Sequence, residues 1–237
     1  MRGKGFTFKQ FHIDHSRCAM KVGTDGTLLG AWATLPPAGR ILDIGTGTGL
    51  IAIMAAQRTA EAHITAIDID RDCALQAEEN VAASPWHDRI EVKHTPLQEF
   101  SSAEPYDVII SNPPYFVDSL QSPDAARSTA RHTDTLSFDD LTQGVLRLLS
   151  PDGHFALILP PPEMERMLSA CRGRLFVTRR CEVWTTPTSG ARRIMAELSQ
   201  QPPAQPPQSE KLIIEDRGPM GYSEDYKRLT RDFYLKF

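Results

Sequence analysis

The 237-residue sequence predicts an α/β fold with a central, mostly parallel sheet of seven strands and helices on both faces. Three observations predict it. From residue 40 onward, short apolar runs alternate with longer amphipathic stretches, the signature of parallel strands joined by helices. The first run ends in a glycine-rich turn, and the fourth ends in an asparagine followed by two prolines. Both are turns of the kind that place ligands at the carboxyl ends of strands.

The expected strands are RILDI (40–44), HITAID (63–68), IEVKH (90–94), YDVIIS (106–111), HFALILP (154–160), LFVTRRCEVW (175–184) and RRIMAELS (192–199). Helices are expected at 49–58, 71–83, 138–149 and 161–172. Ser137 with Asp140 reads as a capping box using the shorter acid, and Gly153 beside Pro151 closes the following turn. QPPAQPPQ (201–208) reads as a proline-rich loop between two late strands, because proline lacks a backbone donor and favours extended chain. The organisation expected is one domain: an N-terminal extension (1–35), a core (36–200), the proline-rich loop, and a C-terminal strand and tail (209–237).

Composition narrows the class. Apolar residues make up 41% and charged residues 24%, as in a globular protein. No apolar run approaches the roughly 20 residues a membrane span needs, and no secretory signal is read at the start, so a cytoplasmic location is expected. Cys18, Cys73, Cys171 and Cys181 are far apart and form no CxxC pair, so neither a metal site nor a disulfide is expected. The net charge of −4 means that a nucleic-acid partner would have to be held by a local basic patch.

ILDIGTGTG (41–49) carries the first piece of chemistry. Its glycines let the backbone approach a ligand. The spacing is G-x-G-x-G, not the G-x-G-x-x-G of dinucleotide sites, and Asp43 stands two residues ahead of Gly45. A carboxylate there would repel a diphosphate but would accept hydrogen bonds from an ammonium group or water. An amino-acid-bearing nucleotide fits. AIDID (66–70) then places Asp68 about twenty residues on, where an acid accepts from ribose hydroxyls, while Asp70 starts the next helix.

SNPPY (111–115) is the second. An amino group conjugated to an aromatic ring is a poor nucleophile because its lone pair is delocalised. The Asn112 side-chain oxygen and the Pro113 carbonyl can each accept one amino hydrogen and turn that lone pair toward an electrophile. Pro114 stiffens the loop, and Tyr115 can stack on the target base. With both motifs in one chain, the sequence resembles the Rossmann-like class I S-adenosylmethionine-dependent methyltransferases that act on planar amino nitrogens.

FTFKQFHIDHSRCAMKVGTDGTLLGAW (6–32), ARHTDTLSFDDL (130–141) and YSEDYKRLTRDFYLKF (222–237) sharpen the likeness. Over nearly its whole length the chain resembles the bacterial tRNA1(Val) (adenine-37-N6)-methyltransferase family. The resemblance implies methyl transfer from S-adenosylmethionine to N6 of adenosine 37 in a transfer RNA, with no metal and no obligate protein partner. It places Lys21, Thr24 and Asp25 beside the methionine end of the cofactor, and Asp43, Gly45, Thr46, Gly47 and Gly49 beneath it. Asp68 falls on the ribose, Ile69 joins the cofactor set, and Asn112, Pro113, Pro114 and Tyr115 hold the target adenine. Related enzymes often use an acid after the third strand for the cofactor's adenine; this chain reads HTPLQEF (94–100), with Pro96 at that place. Leu97, Gln98 or Glu99 is expected to substitute.

For RNA, the polar stretch 116–135 after the catalytic loop offers Arg131 and His132, and elsewhere the chain offers Arg192, Arg193, Lys227 and Arg228. The alternatives are methylation of another RNA or DNA base amino group, methylation of a protein glutamine amide, or a catalytically silent RNA-binding module. The glutamine enzymes usually carry an added helical domain ahead of the glycine motif, for which some forty residues leave no room.

Overall fold

A computed structural model describes residues 5–18, 21–114 and 136–236. Among these, β3 (Arg40–Ile44), β4 (His63–Asp68), β5 (Ile90–His94), β6 (Tyr106–Ser111), β7 (Leu149–Leu159), β8 (Phe176–Trp184), β9 (Ala191–Ser199) and β10 (Gln208–Ile213) form one sheet. Its order is β10-β8-β9-β7-β6-β3-β4-β5. Only β9 runs antiparallel to its neighbours. The count is eight rather than seven because β10 pairs in parallel with the outer side of β8. The proline-rich stretch joins β9 to β10, with residues 201–208 exposed.

Alternation along the strands builds two cores. Ile41, Val108, Ile110, Ala156 and Ile158 face one side, against α1 (Thr24–Trp32) and α2 (Leu50–Arg58). Leu42, Ile44, Ile109, Phe155 and Leu157 face the other, against α4 (Phe138–Leu148) and α5 (Pro161–Ala170). Helix starts follow their capping residues. The Asp70 side chain accepts from the Cys73 N–H at the start of α3 (Arg71–Ala82). Ser137 accepts from the Asp140 N–H at 3.0 Å, and its hydroxyl donates to the Asp140 carboxylate at 2.7 Å. The turn expected at Gly153 is a bulge within β7: pairing with β6 jumps from Tyr106↔Leu149 to Val108↔His154.

The N-terminal segment forms a hairpin, β1 (Gly5–Thr7) with β2 (His12–Asp14), and then runs along α3. There Cys18 is bonded to Cys73, with Cα atoms 4.9 Å apart. The expectation of no disulfide is thus corrected. The two cysteines are 55 residues apart in sequence, and hydrogen bonds donated by Asp14, Ser16 and Arg17 to Asn80 and Gln76 hold their segments together. The last helix, α6 (Glu224–Thr230), starts where the Ser223 hydroxyl bonds the Ile213 carbonyl at the end of β10. No described helix is long and apolar enough to cross a membrane.

Candidate active site

The sheet reverses its order at β3, which pairs with β4 on one side and β6 on the other. The crevice beyond the carboxyl ends of strands at such a reversal is where open α/β sheets bind ligands. The glycine turn leaves β3 and the Asn-Pro-Pro segment leaves β6 at this point, with Ile44 directly opposite Ser111. Ser111, fully buried, donates its hydroxyl to the Ile44 carbonyl at 2.9 Å. Asn112 is half-buried, Pro113 buried and Pro114 exposed. Tyr115, Arg131 and His132 lie outside the described residues.

Gly45, Gly47 and Gly49 all have positive φ. A Cβ on Gly45 would meet nothing within 4 Å, so that turn opens onto free space. At Gly49 (φ +79°), which starts α2, an added Cβ would sit 3.3 Å from the Ala77 Cβ. The Gly45 and Thr46 N–H groups donate to the Ile67 carbonyl at 2.9 and 3.0 Å, tying the turn to β4.

Two acids stand beneath the turn. Asp43 is 1% exposed; its Oδ2 accepts from the Thr46 hydroxyl at 2.6 Å and the Ala52 N–H at 3.2 Å. Its Oδ1 is buried with no hydrogen-bond partner. Burial pushes the carboxyl up to about 7 against the two donors, and the Asp68 charge pushes the same way. A buried acceptor without a donor is costly, and an ammonium group or a water arriving at Oδ1 would remove that cost. Asp68 accepts from the Gly47 N–H at 2.7 Å and the Asp70 N–H at 2.9 Å. Burial raises its pKa while these two donors pull it down. Each oxygen has a lone pair left over with which to accept a further hydrogen bond. Ile69, next in the chain, is exposed, an apolar side chain at the rim.

The other expected residues are spread more widely. Lys21, ahead of α1, and Thr24, its first residue, are exposed. Asp25, in the first turn of α1, accepts from Arg193 Nε on β9 at 2.6 Å, so these two are brought together with each other. Leu97 turns its side chain into the core, and its carbonyl accepts from Arg147 at 2.8 Å. Gln98 and Glu99 stay exposed beside it. Arg192, the extra residue where β9 shifts register against β8, is exposed. Lys227 and Arg228 sit on α6 and pair with Glu224 and Asp225 of the same helix at 2.9 and 2.7 Å.

Sequence reasoning missed Ser111 as the bond between the two turns, and Asn80. The Asn80 signal was present: a poor helix former lies within an alanine-rich helical stretch, where such a residue is kept for a tertiary bond.

Comparison with known proteins bears on this arrangement. The family model described as "Methyltransferase small domain" matches residues 18–136. A curated relative from Parabacteroides distasonis, named tRNA1(Val) (adenine(37)-N6)-methyltransferase, is 49% identical over 98% of both chains. A relative of the same name from Tolumonas auensis is 46% identical over 100% of this chain and 99% of its own. In fold, a predicted O-methyltransferase from Agrobacterium tumefaciens superposes with a TM-score of 0.67, covering 88% of this chain and 96% of its own at 20% identity.

Proposed function

Because the chain belongs to the tRNA1(Val) (adenine(37)-N6)-methyltransferase family, we propose that it methylates N6 of adenosine 37 in the anticodon loop of tRNA(Val), acting as one domain in the cytoplasm. The observation that carries this reading is the in-register meeting of the glycine turn and the Asn112–Pro113 turn, closed by the Ser111 hydroxyl. A donor lying on the first turn faces an acceptor held by the second.

S-adenosylmethionine, when bound, supplies a methyl group already activated on a sulfonium. The residues present fit it. Asp43 Oδ1 is the acceptor for the amino-acid ammonium, directly or through water, and Gly45 to Gly49 give the backbone cradle. Asp68 takes the ribose hydroxyls, with Ile69 alongside, and Lys21 and Thr24 flank the methionine end. At the adenine end the carboxylate's accepting role passes to the side-chain oxygens of the exposed Gln98 and Glu99.

Asn112 Oδ1 and the Pro113 carbonyl each accept one N6 hydrogen, so the nitrogen presents its lone pair along the transfer axis. Pro114 stiffens the loop, and Tyr115 supplies a ring to stack on the base. The substituted amine is strongly acidic once formed and gives its proton to water, so no general base is required. Pulling adenine 37 from its stack costs least in a loop.

For the RNA backbone we assign Arg192, Lys227 and Arg228, with Arg131 and His132. The exposed intrahelical pairs of Lys227 and Arg228 are worth little, so exchange of Glu224 and Asp225 for phosphates is inexpensive. Arg193 contributes through Asp25.

The test is incubation with labelled methyl donor and total RNA, followed by nuclease digestion and mass spectrometry. Label as N6-methyladenosine at position 37 of tRNA(Val) supports the reading. Label confined to another nucleoside or to protein overturns it.

A further inference from the structure

We infer that Asn80 is a positioning residue for the methyl-donor site, linking the N-terminal segment to the glycine turn. Its side chain, 4% exposed on α3, makes three bonds to two segments distant in sequence. Its amide donates to the Thr48 carbonyl at 2.8 Å and to the Asp14 carbonyl at 2.8 Å, and its oxygen accepts from the Asp14 N–H at 2.9 Å. Thr48 lies inside the turn between Gly47 and Gly49, and Asp14 ends β2, four residues before Cys18. Every donor hydrogen of the amide is therefore used, and no other uncharged side chain of similar size offers two donors and one acceptor in this geometry.

The consequence is directional. The turn, with three positive-φ glycines, has little intrinsic preference for the shape that receives a ligand. Asn80 fixes the carbonyl at its centre against a helix. Through Asp14 it also fixes the segment that runs on to Cys18. Gln76, one helical turn earlier, holds Ser16 and Arg17 through its Oε1 but makes no bond to the turn. The two residues thus separate docking of the N-terminal segment alone from docking of the segment and turn together.

This inference rests on the reading that the glycine turn receives the donor. The test measures S-adenosylhomocysteine binding by calorimetry and steady-state methyl transfer for wild type, Asn80→Ala, Asn80→Asp and Gln76→Ala, all in reducing buffer. Asn80→Asp keeps the acceptor for Asp14 and the side-chain volume while losing both donors, and serves if the alanine variant fails to fold. Either Asn80 variant is expected to weaken binding by about tenfold or more, and to raise KM for the donor in parallel. Its kcat at saturating donor should stay within about threefold of wild type, and KM for RNA should not change. Gln76→Ala should shift the donor affinity by less than about threefold. A merely structural role would lower the active fraction, and so kcat, without moving Kd. Unchanged Kd in the folded Asn80 variants, or equal losses in Gln76→Ala, would overturn the inference. Wild-type protein that fails to bind S-adenosylhomocysteine would overturn the donor-site reading itself, and the inference with it.

Discussion

Opening the Cys18–Cys73 bond should destabilise the folded chain without changing its fold. The bond closes a loop at a sequence separation of 55. In the chain-entropy description such a cross-link removes enough freedom from the unfolded chain to contribute about 4 kcal/mol at 25 °C. The reduced native state keeps the Asn80 and Gln76 bonds to the N-terminal segment, so it relaxes little and most of that figure should appear as lost stability. The assay is urea unfolding followed by tryptophan fluorescence, on protein prepared without reductant, on the same protein after reduction, and on Cys73→Ser. With a slope of about 2–3 kcal/mol/M, the midpoint should fall by roughly 1–2 M on reduction. The serine variant should match the reduced protein and ignore reductant. Cys171 and Cys181 will not interfere: both are buried, which raises their thiol pKa values, that of Cys181 to about 12. Superimposable curves for the oxidised and reduced protein would mean that the bond contributes nothing to stability.

Three further outcomes are expected. Asn112→Ala should lower kcat by about 10²–10³, the usual cost of losing one aligned transition-state hydrogen bond, while calorimetric affinity for S-adenosylhomocysteine stays near wild type; equal losses in both would count against its role. Asp43 has its folded pKa raised to about 7 against an ordinary value of 3.8, so the neutral acid stabilises the ligand-free fold below about pH 4 and that contribution is lost as pH rises through 7. Thermal melts of the ligand-free protein should therefore fall between pH 5 and 7.5 in wild type more than in Asp43→Asn, and donor affinity should rise over the same interval in wild type alone; identical pH profiles for the two proteins would be the contrary result. Gly49→Ala forces a left-handed alanine against Ala77 and should cost about 1–2 kcal/mol in chemical denaturation, with weaker donor binding; a variant as stable as wild type would be evidence against the tight turn.

The central strands were legible because each is a short apolar run closed by glycine, proline or an acid, and β3 to β6 lie where the runs lie. Asp43, Asp68 and Asn112 were legible for the same reason: they sit at fixed offsets from those strand ends. What escaped the sequence depends on partners remote in the chain. Strands β1 and β2, at three residues each, are too short to show a period, and their place is set by Asn80 and Gln76 some sixty residues later. Spacing rules for cysteine detect neighbours, so a pair joined across α3 and the N-terminal segment leaves no trace. Arg192 and Arg193 look alike as a dipeptide, yet β9 shifts register there, with Arg192 exposed and Arg193 bonded to Asp25. A strand was expected after the proline-rich loop, but its pairing with the outer side of β8 was not: β10 begins in the polar run Gln208–Ser209–Glu210, and hydrophobic patterning does not report such a partner.

The most direct measurement is a crystal structure of the protein with S-adenosylhomocysteine and the unmodified anticodon stem-loop of tRNA(Val). Adenine 37 is expected flipped out of the loop, its N6 about 3 Å from both Asn112 Oδ1 and the Pro113 carbonyl oxygen, and facing the sulfur. An adenine seated elsewhere, or an N6 bonded to neither oxygen, would contradict this expectation.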